Sequence, residues 1–229
     1  MAPSERKVRK FVRQWRRRYP LPVPWVDDRA NKQCRRSEDL WLAQFAGADN
    51  LRRREVISLV VWRLGGDREA MERALAGIDG PAAWGHARRS IKKALAATNP
   101  MEALDRLVGE VGAIPGWTAV MASALLAACR PDLYVAGDDR ALRSLAALDL
   151  LERTEPTSFT RGEWWPYLRA CRRLAELADV SVRDVGRALW AGADDAPDLP
   201  STAKAKRRAG PVSRRGAGVG SGASRQGAG

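Results

Sequence analysis

Histidine is almost missing from this chain of 229 residues, with His86 the single instance. A His-Glu-x-x-His zinc site needs two, and one imidazole leaves little room for a Ser-His-Asp triad, so any catalysis must rest mainly on carboxylates or lysines. Cysteine is scarce as well: Cys34, Cys129 and Cys171 lie far apart. They form neither a disulfide framework nor a Cys-x-x-Cys metal knuckle, which fits a reducing cytoplasm. Long apolar runs are missing. The most apolar stretch, Trp117 to Cys129, is too short for a bilayer, and the Arg-rich start has no signal-peptide core, so the expected protein is cytoplasmic, neither secreted nor membrane-spanning. No period-2 strand pattern and no fixed repeat is visible, which excludes a solenoid and leaves a helical protein.

What is present suits one good core: 45% of the residues are apolar and 29% charged. Forty Lys and Arg against 27 Asp and Glu give a formal net charge of +13, so the expected partner is a polyanion, nucleic acid first. The excess is uneven. Residues 1–20 hold eight basic side chains and one acid, residues 201–229 hold seven and none, and the middle is left at −1. Basicity belongs to two arms and identifies no site between them.

The first arm and its connector span 1–26. Val8, Phe11, Val12, Trp15 and Tyr19 recur at helical spacing among Arg and Lys, the pattern of a basic amphipathic helix. Either its apolar face docks on the protein's own core, or the helix lies along a phosphate backbone or an anionic membrane surface. Pro20, Pro22 and Pro24 then enforce an extended connector. The second arm, 196–229, carries Lys204, Lys206, Arg207 and Arg208 ahead of a Gly/Ala/Ser tail. It has too little apolar surface to fold and is predicted disordered, serving non-specific nucleic-acid affinity or solubility.

Between them, 27–195 reads as one all-α domain. Helices are predicted over Ser37–Phe45, Arg53–Leu64, Asp67–Ala76 with Asp67 as cap, Trp84–Ala97, Pro100–Val111, Ala119–Cys129, Arg140–Leu151, Trp164–Leu177 and Val182–Trp190. Most of the nine tryptophans sit on apolar helical faces and belong to packing; Trp117 alone has a position that suggests another use.

Trp117 lies in the informative segment, from Gly112 through Pro115-Gly116-Trp117-Thr118 and a small-residue helix to Pro131, then a short link to Asp138-Asp139-Arg140. This is helix, hairpin, helix, then a positioned acid. A Pro-Gly turn ahead of a helix exposes consecutive N–H groups at a positive dipole end, where phosphate binds without side-chain charge, although the same turn also occurs in proteins that bind nothing. Asp138 precedes a helix starting near Arg140, whose dipole, with Arg140 and Arg143, stabilises a carboxylate there. Either acid can be a plain N-cap.

Pro115-Gly116 through Asp138 resembles the helix-hairpin-helix DNA glycosylase superfamily, whose signature runs from Leu-Pro-Gly-x-Gly along an apolar helix to an Asp before a further helix. The segments Ala122-Ser123-Ala124-Leu125-Leu126, Asp138-Asp139-Arg140 and Ala188-Leu189-Trp190, with Val61-Trp62-Arg63 and Cys171-Arg172, look more closely like bacterial proteins with an 8-oxoguanine-glycosylase-like fold. The resemblance covers roughly residues 40–195. It implies a helix-hairpin-helix glycosylase-like domain that binds double-stranded DNA, with Pro115, Gly116, Trp117, Thr118, Arg140 and Arg143 on DNA and Asp138 as the catalytic acid. On this reading Asp139 caps the helix and Asp138 faces the site. Two departures matter: Thr118 replaces the second signature glycine, and Val120 stands where bifunctional members keep their Schiff-base lysine. The implied activity is therefore a monofunctional, base-excising hydrolase of DNA repair type, without cofactor or iron–sulfur cluster and acting as a monomer. The alternatives are a catalytically silent nucleic-acid-binding module of the same fold and, third, a structural or interaction protein whose charged ends serve solubility or partner contacts.

Lesser candidates each have two readings. Trp117 wedges into bases or packs on the next helix. His86, ahead of Arg88, Arg89, Lys92 and Lys93, contacts phosphate or belongs to a solvated basic helix. Trp164-Trp165-Pro166-Tyr167 lines a base pocket or forms a packing cluster at a helix start; packing is expected.

Overall fold

Nine helices are predicted in the core and one amphipathic helix in the first arm, and all ten form. The computed structural model describes residues 5–20, 28–109, 113–151 and 159–193, and among them are ten α-helices and no strand. They are α1 (Glu5–Arg18), α2 (Asp28–Leu42), α3 (Arg53–Leu64), α4 (Arg68–Ala76), α5 (Gly80–Ala96), α6 (Pro100–Val108), α7 (Ala119–Cys129), α8 (Asp139–Ala147), α9 (Arg161–Ala178) and α10 (Val182–Ala191). The C-terminal basic tail and Pro22 and Pro24 of the connector lie outside the described residues.

Most starts follow from capping chemistry. Asp67 accepts from the Ala70 N–H at 3.0 Å, Asn99 from Met101 and Glu102, and Ser181 from Asp184; Thr160 and Glu163 form a reciprocal capping box. Two boundaries differ from the apolar pattern for identifiable reasons. Pro81 in the first turn starts α5 four residues before Trp84. Past α8, Asp149 takes a left-handed φ of 55°, so the helix stops at Ala147 rather than Leu151.

Helix α9 likewise starts at Arg161, three residues before Trp164, where its capping box sets it, and the largest difference is α2, which begins at Asp28 and leaves Ser37 exposed mid-helix rather than at a cap. It lacks an apolar stripe because charge anchors it. Arg187 on α10 bonds Glu38 and, at 2.8 Å, Asp39, while Arg35 donates to the Tyr19 carbonyl at 2.9 Å.

At the centre is α7, buried on every side except at Val120 and Ala127, as a helix apolar all round must be. Helices α3, α5 and α6 pack on it. A second group forms around α10, which touches α1, α8 and α9. There α1 buries Val8, Val12 and Trp15, at most 5% exposed, so its amphipathic face docks on the protein's own core. No helix among the described residues is long and apolar enough to cross a membrane.

Candidate functional site

Two main-chain contacts shape the hairpin. Gly116 adopts φ +76°, open to glycine and strained for other residues, and a Cβ there would lie 2.2 Å from the Arg73 carbonyl oxygen. A Cβ on Gly77 would lie 1.9 Å from the Pro115 carbonyl oxygen. The Pro-Gly turn therefore rests directly on the C-terminal end of α4. Trp117 completes the seat: its indole is 7% exposed and donates to the Ala74 carbonyl at 3.2 Å. The packing reading of Trp117 is the one the fold adopts. Pro115, Gly116 and Thr118 stay exposed in front of α7, with Thr118 as its extended N-cap residue. Behind the turn His86 Nε2 lies 3.0 Å from the Ala113 carbonyl oxygen, so the ring holds the approach to the hairpin by donating from that nitrogen.

The hairpin's helix also fixes the acid-bearing link. Ser123, in the second turn of α7, accepts from the Gly137 N–H at 2.8 Å, and Tyr167 donates to the Ala136 carbonyl at 3.0 Å. Close approach by Phe159 leaves no room for a side chain at 137. The next residue, Asp138, is delivered to the start of α8. Its Oδ1 accepts from the Arg140 N–H at 2.8 Å, and its Oδ2 accepts from Arg63 Nη2, also at 2.8 Å. The cap of α8 is thus Asp138 and not Asp139, which occupies the first helical position. The backbone explains the exchange: Asp138 is extended, at φ −152° and ψ 137°, as an N-cap must be.

Capping does not remove Asp138 from the surface. Its side chain is 18% exposed and lines a cavity of about 110 Å³ with Arg63, Trp62, Tyr19, Trp190 and Glu38 among its walls. That volume is near the ~150 Å³ known to admit one aromatic ring in an apolar protein interior. Arg63 also donates to the Gly137 carbonyl at 2.7 Å, while its Nε is buried with no hydrogen-bond partner. Across the cavity Tyr19 donates to Glu38 at 2.9 Å and packs edge-on against Trp190. Burial, reinforced by the Glu38 carboxylate, holds the Tyr19 hydroxyl protonated well above the usual tyrosine range. Burial opposes the charge on Arg187, but Asp39 and Glu38 outweigh it and keep the guanidinium charged. The cavity wall is a fixed array of paired charges faced with aromatic rings.

The expected site residues divide accordingly. Asp138 lines the cavity, whereas Pro115, Gly116, Trp117 and Thr118 do not. Arg140 donates its N–H to the Asp138 cap and stacks its guanidinium 4.4 Å from the Trp190 ring centre; Arg143 is exposed further along α8. Trp164 and Tyr167 are fully buried packing residues against Phe159. The tryptophans that face the cavity are Trp62 and Trp190, and the charged groups are Arg63, Glu38, Arg183 and Arg187. Trp62, Arg63 and Trp190 fall in segments quoted for the resemblance, which gave them no role, and Glu38, Arg183 and Arg187 carry no local signal, because the partners are remote: Arg63 lies 75 residues from Asp138 and Arg187 149 from Glu38. Comparison with protein families, with curated proteins and with solved structures finds no match to this chain.

Proposed function

We propose that the chain is a helix-hairpin-helix, DNA-glycosylase-like protein that accepts one everted base in the Asp138 cavity and hydrolyses its N-glycosidic bond. The observation that carries this reading is a carboxylate on the wall of an aromatic-faced cavity with room for about one ring. The exposed turn residues Pro115, Gly116 and Thr118 would hold a phosphate ahead of α7. The base would lie against Trp62 and Trp190, leaving Asp138 to face the sugar and stabilise its positive charge as the bond to the base breaks. Water supplies the new C1′–O bond, one of its protons passes to Asp138 or solvent, and the base leaves with the bonding electrons and gains a proton. Val120 offers no amine for a Schiff base, so strand cleavage by lyase chemistry is not expected.

A second reading, a silent nucleic-acid-binding module, is favoured by the partners of Asp138 itself: Arg63 offsets its charge and the α8 N-terminus takes its other oxygen. Duplexes carrying alkylated, oxidised, deaminated or hypermodified bases separate the two. A glycosylase leaves alkali-labile abasic sites in one class, and Asp138→Asn keeps binding while release falls by about 100-fold or more. Salt-dependent binding without release identifies the silent module, and no binding at all, or binding indifferent to salt, removes both readings.

A further inference from the structure

A second cavity, of about 240 Å³, adjoins the first and is lined by Tyr19, Pro20, Cys34, Glu38, Trp41 and Trp62. Tyr19, Glu38 and Trp62 line both, so the two share a wall. Trp62 is 37% exposed, its ring centre 5.6 Å from that of Trp41, which in turn packs edge-on against Phe45 at 5.0 Å. An indole left partly open where two cavities meet, with Trp41 and Phe45 packed in series beside it, offers a ring on which a base can stack.

The same corner receives a charged track. On α1, Arg6, Lys10, Arg13 and Arg17 are exposed and lie opposite the buried Val8, Val12 and Trp15. They form a basic ridge about 16 Å long at 1.5 Å per residue, and it ends two residues before Tyr19, the aromatic common to both cavities. A membrane surface does not fit this ridge, because the apolar face such a helix would insert is already buried against α9 and α10. A chain of phosphates bearing flat rings fits both features.

We infer that the bound strand is unpaired at two consecutive nucleotides, one base in the Asp138 cavity and its neighbour stacked on Trp62 in the adjoining one, with the strand's phosphates following α1. This rests on the reading of the first cavity as a base site and narrows its substrate. Filling both cavities from a perfect duplex means unstacking two base pairs, whereas a single strand, gap or bulge has met that cost already.

The test measures binding of the full chain to a fluorescent 12-nucleotide oligothymidine and to the same strand annealed to its complement, by anisotropy at two salt concentrations. The single strand should bind about tenfold more tightly. Trp62→Ala should lose about tenfold on the single strand, and Trp62→Phe, which keeps a ring, should restore most of the loss. Equal affinity for the two forms, or a Trp62→Ala protein that binds the single strand as wild type does, overturns the inference while leaving the base-site reading in place. Failure of both forms to bind overturns that reading as well. The strand comparison uses the wild-type protein alone and decides the matter even where the alanine variant does not fold.

Discussion

At the hairpin two main chains touch, with Gly116 on Arg73 and Gly77 on Pro115, and hardly a charged side chain takes part. At the cavity side chains from α2, α3 and α10 and from the link ahead of α8 set the space, joined as Arg187 to Glu38 and Asp39 and as Arg63 to Asp138. The hairpin is held by shape and the cavity by charge. Shape tolerates no added atom, and charge tolerates no lost partner.

The first of the two largest expected losses is on the charged side. Arg187 is 7% exposed, and Arg187→Met would leave Glu38, 15% exposed, with the Tyr19 hydroxyl in place of its guanidinium, while Asp39 keeps Arg183 and solvent, so the cost should be about 3 kcal/mol in urea denaturation. Arg187→Lys should recover only part, since one ammonium placed where Nη2 meets Glu38 and Asp39 cannot also cover the Asp184 contact that Nη1 makes at 3.7 Å; full recovery would show that charge alone suffices. At the hairpin, Gly116→Ala should cost about 3 kcal/mol by strain and overlap together. Gly47 has the same φ of +76° but nothing within 4 Å of a Cβ, so Gly47→Ala isolates the strain and should cost about 1 kcal/mol. Equal losses at the two glycines would mean that contact with α4 contributes nothing.

Alkaline titration acts on both regions at once. Burial pushes the Cys129 thiol on the hairpin helix up to about 12, and likewise raises Cys171, Tyr167, Tyr134 and, with help from Glu38, Tyr19. These groups are neutral in the folded protein, while in the unfolded chain they ionise around 9 for cysteine and 10 for tyrosine. Their stabilising effect is therefore whole below about pH 9 and is lost as pH rises toward the folded values. The melting temperature should stay level up to that point and fall by several degrees beyond it, at about 2–4 °C per kcal/mol; a level profile to pH 11 would contradict the burial of these groups. The smallest effect contrasts two residues that both look like caps. Asp67→Ala should cost about 1 kcal/mol, and Ser37→Ala, mid-helix and exposed, within about 0.5 kcal/mol.

The same division decides what could be read in the residues beforehand. Local rules carry the helices: the spacing places α3 and α7 at their observed limits, and Asp67 announces α4. The segment from Pro115 to Asp138 is legible as turn, buried helix and acid because each step is a near-neighbour effect. The real extent of α2 is not, since its anchors are ion pairs to α10 rather than an apolar stripe. Asp138 could be singled out from its place before α8, but its exchange of roles with Asp139 depends on backbone angles, and its partner Arg63 on an encounter between distant segments. Trp117 drew attention by position and proves to be packed, whereas Trp62 and Trp190, quoted only as parts of the segments that carry the resemblance, are the ones that reach the cavity.

The most direct test of the central claim is a crystal structure of Asp138→Asn bound to a strand carrying the base that the wild-type protein releases or binds best. The account predicts that base everted into the cavity beside Trp62 and Trp190, with its sugar turned toward residue 138 and a phosphate at Pro115 to Thr118. A complex in which every base remains stacked and the cavity stays empty, with the polynucleotide held elsewhere, would contradict it.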